Sequence, residues 1–226
     1  MHFPDIQKIQ KFKAKEILFD EYKEHLVNLL NIVKAVGEPL EGSIFYRHLE
    51  LNPEHTLDEQ FLNKRAALAM FAMAHQNIVE IGFNAGFSAL LMLTANPGLK
   101  LTCVDICEHK YVEPCFGYIE SAFPGRITLV KGDSTKVLAE VLQSNKDLTG
   151  YIIDGGHGLA VADQDLQNVI QYANPDSVLC FDDSDFTELR LLLNLHMMTG
   201  RLLPIWDPKS VIQNETQMFF KIRCNN

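Results

Sequence analysis

Residues 78–88 read Ile78-Val79-Glu80-Ile81-Gly82-Phe83-Asn84-Ala85-Gly86-Phe87-Ser88. A short apolar run carrying a carboxylate breaks at a glycine turn, then passes into the helical pattern Phe87–Ala95, which Asn96-Pro97-Gly98 stops. Gly82 and Gly86 allow the backbone to approach a ligand closely. Asn84 is the non-glycine residue best suited to a positive φ. The spacing is not G-x-G-x-x-G, because Asn84 and Phe87 stand at the second and third glycine positions, so a dinucleotide pyrophosphate is disfavoured.

Working outward, the same alternation repeats. Apolar runs at Leu101–Asp105, Ile127–Val130, Tyr151–Asp154 and Val178–Asp182 are separated by helical patterns near Tyr111–Phe123, Thr135–Leu142 and Ala160–Ala173. Strands apolar on both faces belong to a parallel sheet covered by helices. Leu202–Trp206 and Gln217–Arg223 follow with no helix between them and pair antiparallel, after a helix opened by Asp185 and Glu188 and stopped at Gly200. The expected fold is a doubly wound, Rossmann-like α/β domain with a mostly parallel seven-stranded sheet and a C-terminal antiparallel strand. Upstream, Ile17/Leu18, Tyr22, Leu26, Leu29/Leu30 and Val33 mark one face of a helix ending near Gly37. Thr56-Leu57-Asp58-Glu59 reads as a capping box for a second helix, with Leu62, Ala66, Met70 and Met73 on its buried face. Residues 1–55 are thus a helical extension, serving as a lid or a homodimer surface, and 56–226 the ligand-binding domain.

In such a sheet ligands bind beyond the carboxyl ends of the strands. Glu80, Asp105, Asp154 and the pair Asp182-Asp183 fall at those ends, and Gly132-Asp133-Ser134 follows the third strand. Asp105 lies 23 residues after Gly82 and is placed to accept both ribose hydroxyls of an adenosine, with Asp133 and Ser134 beside the adenine. Asp154, Asp182 and Asp183 offer oxygen ligands suited to a hard divalent cation, most simply Mg2+. Without a cation, converging carboxylates repel and at least one pKa rises.

Composition narrows the partners. Lys plus Arg number 20 against 29 Asp plus Glu in 226 residues, a formal charge of −9, with no dense basic run. This argues against nucleic acid or an anionic membrane. The apolar stretch Ala66–Ala74 is far shorter than the ~18–20 residues that cross a bilayer. Met1-His2-Phe3-Pro4-Asp5 lacks a signal-peptide pattern. Five cysteines, Cys103, Cys107, Cys115, Cys180 and Cys224, read as reduced thiols of a cytoplasmic protein. C-x3-C-x-H at Cys103, Cys107 and His109 lacks the second ligand pair that zinc needs.

The segment Glu80-x-Gly82-x-x-x-Gly86-x-Ser88, then Asp105, then Gly132-Asp133-Ser134, resembles the class I S-adenosylmethionine-dependent methyltransferases over residues 56–224. The resemblance implies that the Gly82–Gly86 loop holds the methionine part of the cofactor, Asp105 the ribose, and Asp133 and Ser134 the adenine border. Asn84 departs from the glycine many members carry. Asp154-Gly155-Gly156-His157 with Asp182-Asp183 is similar to the metal-dependent O-methyltransferases of the catechol and caffeoyl-CoA type, and closer to the D-G-x-H enzymes of sugar and antibiotic hydroxyls. Some hydroxylases share that pattern.

These readings imply metal-assisted transfer of a methyl group to a hydroxyl of a small molecule, with His157 as the base. A metal-independent N- or C-methyltransferase and a non-catalytic S-adenosylmethionine-binding module are the alternatives. A nicotinamide-dependent oxidoreductase is disfavoured by the missing glycines. His109 reads as a surface or cofactor-rim residue. Phe116 and Trp206 are candidates for the substrate mouth, Trp206 equally for the core, and Met197-Met198 for helix packing.

Overall fold

The computed structural model describes residues 19–45, 57–175, 177–205 and 216–223. In chain order the elements are α1 (Phe19–Val36), a 3-10 turn (Glu59–Phe61), α2 (Leu62–Ala74), β1 (Asn77–Ile81), α3 (Phe87–Ala95), β2 (Lys100–Asp105) and α4 (Val112–Ala122). Then follow β3 (Ile127–Lys131), α5 (Ser134–Ser144), β4 (Gly150–Ile153), α6 (Leu159–Tyr172), β5 (Val178–Phe181), α7 (Thr187–Met198), β6 (Leu202–Pro204) and β7 (Met218–Ile222). Seven strands form one sheet in the order β3-β2-β1-β4-β5-β7-β6. β7 runs antiparallel between β5 and β6, and the other described pairings are parallel. The expected fold is therefore present, with its C-terminal antiparallel strand.

Alternate side chains of each strand feed two cores. Ile78 packs on the face covered by α1, α2 and α3, while Val79 and Ile81 pack on the face covered by α5, α6 and α7. Helix α3 is apolar nearly all round because it lies between the sheet and α1 and α2, and Phe87 and Ala89–Leu93 are buried. The extension does not have a core of its own. Tyr22, Leu26, Leu29, Leu30 and Val33 of α1 are buried in the same cluster as Ile78 and Leu90.

Several local expectations change. The helix after the extension begins at Leu62, preceded by a 3-10 turn in which the Gln60 amide donates to Asp58 Oδ1 at 3.0 Å. Asp58 caps the turn; the expected Thr56–Glu59 box rests on Thr56, which lies outside the described residues, as do Ile17, Leu18, Trp206 and Cys224. Met73 is 42% exposed, because its helix ends at Ala74 and that side turns to solvent. The last helix starts at Thr187 after Phe186 and has no side-chain cap, so Asp185 does not open it. Met198 is exposed at its end and only Met197 packs inward. Cys103, Cys107, Cys115 and Cys180 are free thiols. Among the described residues no helix is long and apolar enough to cross a membrane.

The strand order reverses between β1 and β4, which opens a crevice above their carboxyl ends. The residues following β1, β2, β4 and β5 line it.

Candidate active site

A cavity of about 1260 Å³ occupies this crevice. Of the residues expected at the site, Gly82, Asn84, Ser88, Asp105, Asp133, Ser134, Asp154, His157 and Asp183 line it. Glu80, Gly86 and Asp182 stand behind that lining.

The glycine turn is held from below. The amides of Phe83 and Asn84 both donate to Asp105 Oδ2, at 2.8 and 2.9 Å, and the Cys107 amide donates to Oδ1 at 2.7 Å. A carboxylate has about four acceptor sites. Three are taken here, so Asp105 braces the loop and keeps acceptor capacity for the ribose. Asn84 has φ 51, as its residue type suggested. Its side chain is occupied, donating to Glu41 O and accepting from the Tyr111 hydroxyl at 2.8 Å.

The two glycines are required by the protein itself. A Cβ on Gly82 (φ +95) would collide with the Asp154 carbonyl, and one on Gly86 (φ +76) would lie 2.5 Å from the Phe83 ring. Gly86 precedes α3 without any side-chain cap, and Phe87 and Ser88 of the first turn of α3 border the cavity. Such a helix start attracts an anion. Beneath the loop, Glu80 is fully buried beside Ser88 and Cys103; burial pushes its carboxyl up to about 7, and its Oε1 has no hydrogen-bond partner. An uncapped helix start, an orphaned buried carboxylate oxygen and a spare site on Asp105 fit the carboxylate, the cationic centre and the ribose of S-adenosylmethionine.

The Asp133 carboxylate is engaged by its own helix. It caps α5 by accepting the Thr135 amide at 3.1 Å and pairs with Lys136 at 2.8 Å, which pulls its pKa down to about 2. Ser134 donates to Asp165 Oδ2 at 3.0 Å; burial holds that carboxyl up at about 6. Both residues still border the cavity. Phe116 packs edge-on against Phe83, 5.8 Å between centroids, and is core rather than mouth.

Beside the glycine loop, ligand atoms of Asp154, His157 and Asp183 lie within 4.8 Å of one another. His157 Nε2 is 2.7 Å from Asp183 Oδ2, and that hydrogen bond raises the imidazole pKa above its ordinary 6.5. Burial raises Asp183, but the His157 bond and the Lys64 charge outweigh it, leaving the carboxyl below its usual value. Asp154 is pushed well up, first by burial and then by Asp182. Two carboxylates and an imidazole nitrogen at this spacing can share one divalent ion. Asp182 is elsewhere: 2% exposed, it meets Lys64 Nζ at 2.5 Å through Oδ2. Burial opposes the ammonium charge of Lys64, but Asp182, Asp154 and Asp183 outweigh it and hold its pKa above the usual lysine value.

Sequence reasoning missed Lys64 and the segment Leu40–Ile44, which also lines the cavity. Glu38 and Glu41 flank His109, 3.6 and 3.2 Å away, and His109 stacks on Tyr111 at 5.0 Å. The signal for Lys64 was a lysine in the first turn of a helix that is apolar from Ala66 onward, where the dipole disfavours it.

Residues 79–184 match the family model described as "Methyltransferase domain". That segment, just under half of the chain, is similar to methyltransferase domains. A ribosomal RNA small subunit methyltransferase A from Novosphingobium aromaticivorans is 31% identical to it over 97 residues, 43% of this chain and 34% of that protein. The chain thus spans about a third of the length of that curated relative. Among solved structures, cofactor-bound Rv0187 from MTB superposes with a TM-score of 0.64 at 15% identity, covering 99% of this chain and 100% of that one. CalS11, a TDP-rhamnose 3'-O-methyltransferase of calicheamicin biosynthesis, gives 0.57 at 14%, covering 89% and 93%. The MycE methyltransferase of mycinamycin biosynthesis, in complex with Mg and SAH, gives 0.52 at 14%, covering 88% of this chain and 54% of that one. At these identities the superpositions speak for the fold of the methyltransferase domain.

Proposed function

We propose that this chain transfers the methyl group of S-adenosylmethionine to a hydroxyl of a small molecule, assisted by a divalent cation, most simply Mg2+. One observation carries the reading: the braced glycine loop and the Asp154–His157–Asp183 group line the same cavity. The O-methyltransferase CalS11 and the Mg complex of MycE share the fold and support it.

When bound, S-adenosylmethionine supplies an electrophilic methyl on a sulfonium sulfur, and a divalent cation lowers the pKa of a hydroxyl it coordinates. The carboxylates of Asp154 and Asp183, after β4 and β5, would hold the cation, while Asp183 Oδ2 also engages His157. That contact fixes the imidazole proton on Nε2 and leaves Nδ1 to accept the proton of the acceptor hydroxyl. Phe186, 48% exposed and 5.6 Å from the His157 ring, offers an apolar edge to the acceptor. The loop and the cluster align oxygen and methyl, an effect worth up to about 7–11 kcal/mol in favourable reactions. The segment Leu40–Ile44 closes the third side, which favours a lid over a dimer surface for this part of the extension. A small acceptor agrees with a charge of −9.

Radiolabel transfer from S-adenosylmethionine to a catechol panel, with Mg2+ or with EDTA, tests the reading. Transfer that needs the cation supports it. Transfer unaffected by EDTA turns the assignment to a metal-independent enzyme, a reading favoured by the cationic Lys64 already in the cluster.

A further inference from the structure

We propose that Lys64 is a resident counter-cation of the acceptor side of the cavity: it claims Asp182, removes that carboxylate from the metal-binding set, and so sets how tightly the remaining groups hold a divalent ion. The inference rests on the metal-assisted reading above and adds a residue from outside the strand ends.

The geometry is specific. Lys64 Nζ lies 2.5 Å from Asp182 Oδ2, with side chains 14% and 1% exposed. Asp182 does not line the cavity, whereas Lys64, Asp154 and Asp183 do, so the ammonium stands between Asp182 and the open space. The Asp183 amide also donates to Asp182 Oδ1 at 3.0 Å, engaging the second oxygen. The three groups whose ligand atoms converge are Asp154, His157 and Asp183, without Asp182.

The position of Lys64 has no other evident purpose. It lies in the first turn of α2, where the helix dipole disfavours a cation and no acidic side chain is present to offset it. Its neighbour Arg65, 1% exposed, donates through Nη1 to the carbonyls of Ile44 and Asp58, both at 3.0 Å, and so anchors the turn that aims Lys64 inward. A buried carboxylate paired with a buried ammonium is close to a neutral unit. Beside it, two carboxylates are left to neutralise a divalent charge.

The test uses the full chain treated with EDTA and Mn2+ as the probe, with free Mn2+ read by electron paramagnetic resonance and folding checked by circular dichroism. Asp183→Asn is expected to weaken Mn2+ binding by about tenfold or more, as loss of a ligand does. Lys64→Met, which frees Asp182 and removes a nearby positive charge, is expected to tighten it by about tenfold, and Lys64→Arg to stay near wild type. The double variant Lys64→Met/Asp182→Asn removes the pair without changing net charge and leaves no lone buried charge. It is expected within about threefold of wild type. A double variant as weak as Asp183→Asn, or Lys64→Met binding no tighter than wild type, overturns this inference while leaving a metal site in place. Wild-type protein that binds no Mn2+ overturns both it and the metal-assisted reading.

Discussion

Gly82 meets the carbonyl of Asp154 so closely that no side chain fits between them. The Asp154 amide in turn donates to Ile81 O at 2.9 Å. The turn expected to hold the cofactor and the carboxylate expected at the acceptor are thus joined backbone to backbone, and a displacement of one displaces the other.

Gly82→Ala therefore combines a collision with a φ of +95, and is expected to destabilise the fold by about 2–4 kcal/mol. Denaturant unfolding measures the loss. Cofactor binding and methyl transfer are expected to fall together in the folded fraction.

Asp105→Asn retains an oxygen for the Phe83 and Asn84 amides but turns an NH2 toward the Cys107 amide, donor against donor. A cost of about 1–3 kcal/mol in stability is expected. Calorimetry is expected to show S-adenosylmethionine affinity lowered by at least about tenfold, because a braced loop becomes a mobile one.

Asp154→Ala separates an enzyme from a binding module. It leaves the cofactor loop intact, so affinity for S-adenosylmethionine is expected within about threefold of wild type, while turnover falls by at least about 100-fold. Equal turnover would make the Asp154 cluster irrelevant to chemistry.

His157 is expected to titrate above 6.5 in metal-free protein, because Asp183 stabilises its charged form. Two-dimensional NMR of the imidazole follows it, and Asp183→Asn is expected to bring the value down. Since the folded pKa is raised, the stabilisation from this pair is complete below the unfolded value and disappears as pH rises through the folded one.

Glu80 shifts stability with pH in the same direction, through burial and not through a partner. Its carboxyl moves from 4.5 to about 7 on burial, so the folded state holds a proton that the unfolded chain has lost. Stability is expected to decline between those two values and then level, by a total on the order of 3 kcal/mol. Glu80→Gln is expected to raise the melting temperature of cofactor-free protein at pH 8 and to leave it unchanged at pH 4.

The sheet was legible because its strands are short, apolar and separated by helical periodicity, and because acidic residues recur where those strands stop. Gly82, Asn84 and Asp105 could be placed from local chemistry, since a turn with positive φ and a carboxylate after the next strand are local patterns. What each side chain does there was not legible. Asp105 spends three acceptor sites on the loop, Asn84 binds Glu41 and Tyr111, and Asp133 caps a helix. Each of these depends on what packs nearby. Lys64 was hidden for the same reason: 118 positions separate it from Asp182 in the chain. No spacing rule links residues so far apart. The helix start misread at Asp185 shows local capping chemistry yielding to the turn that precedes α7.

The central claim is that one cavity holds S-adenosylmethionine at its glycine loop and a cation-bound hydroxyl substrate at the Asp154 cluster. Titration calorimetry on EDTA-treated protein, first with S-adenosylmethionine and then with a catechol with and without Mg2+, tests it most directly. Cofactor binding in all conditions, with catechol binding only when Mg2+ is present, is the expected result. Folded protein that binds no S-adenosylmethionine would contradict the account at its root.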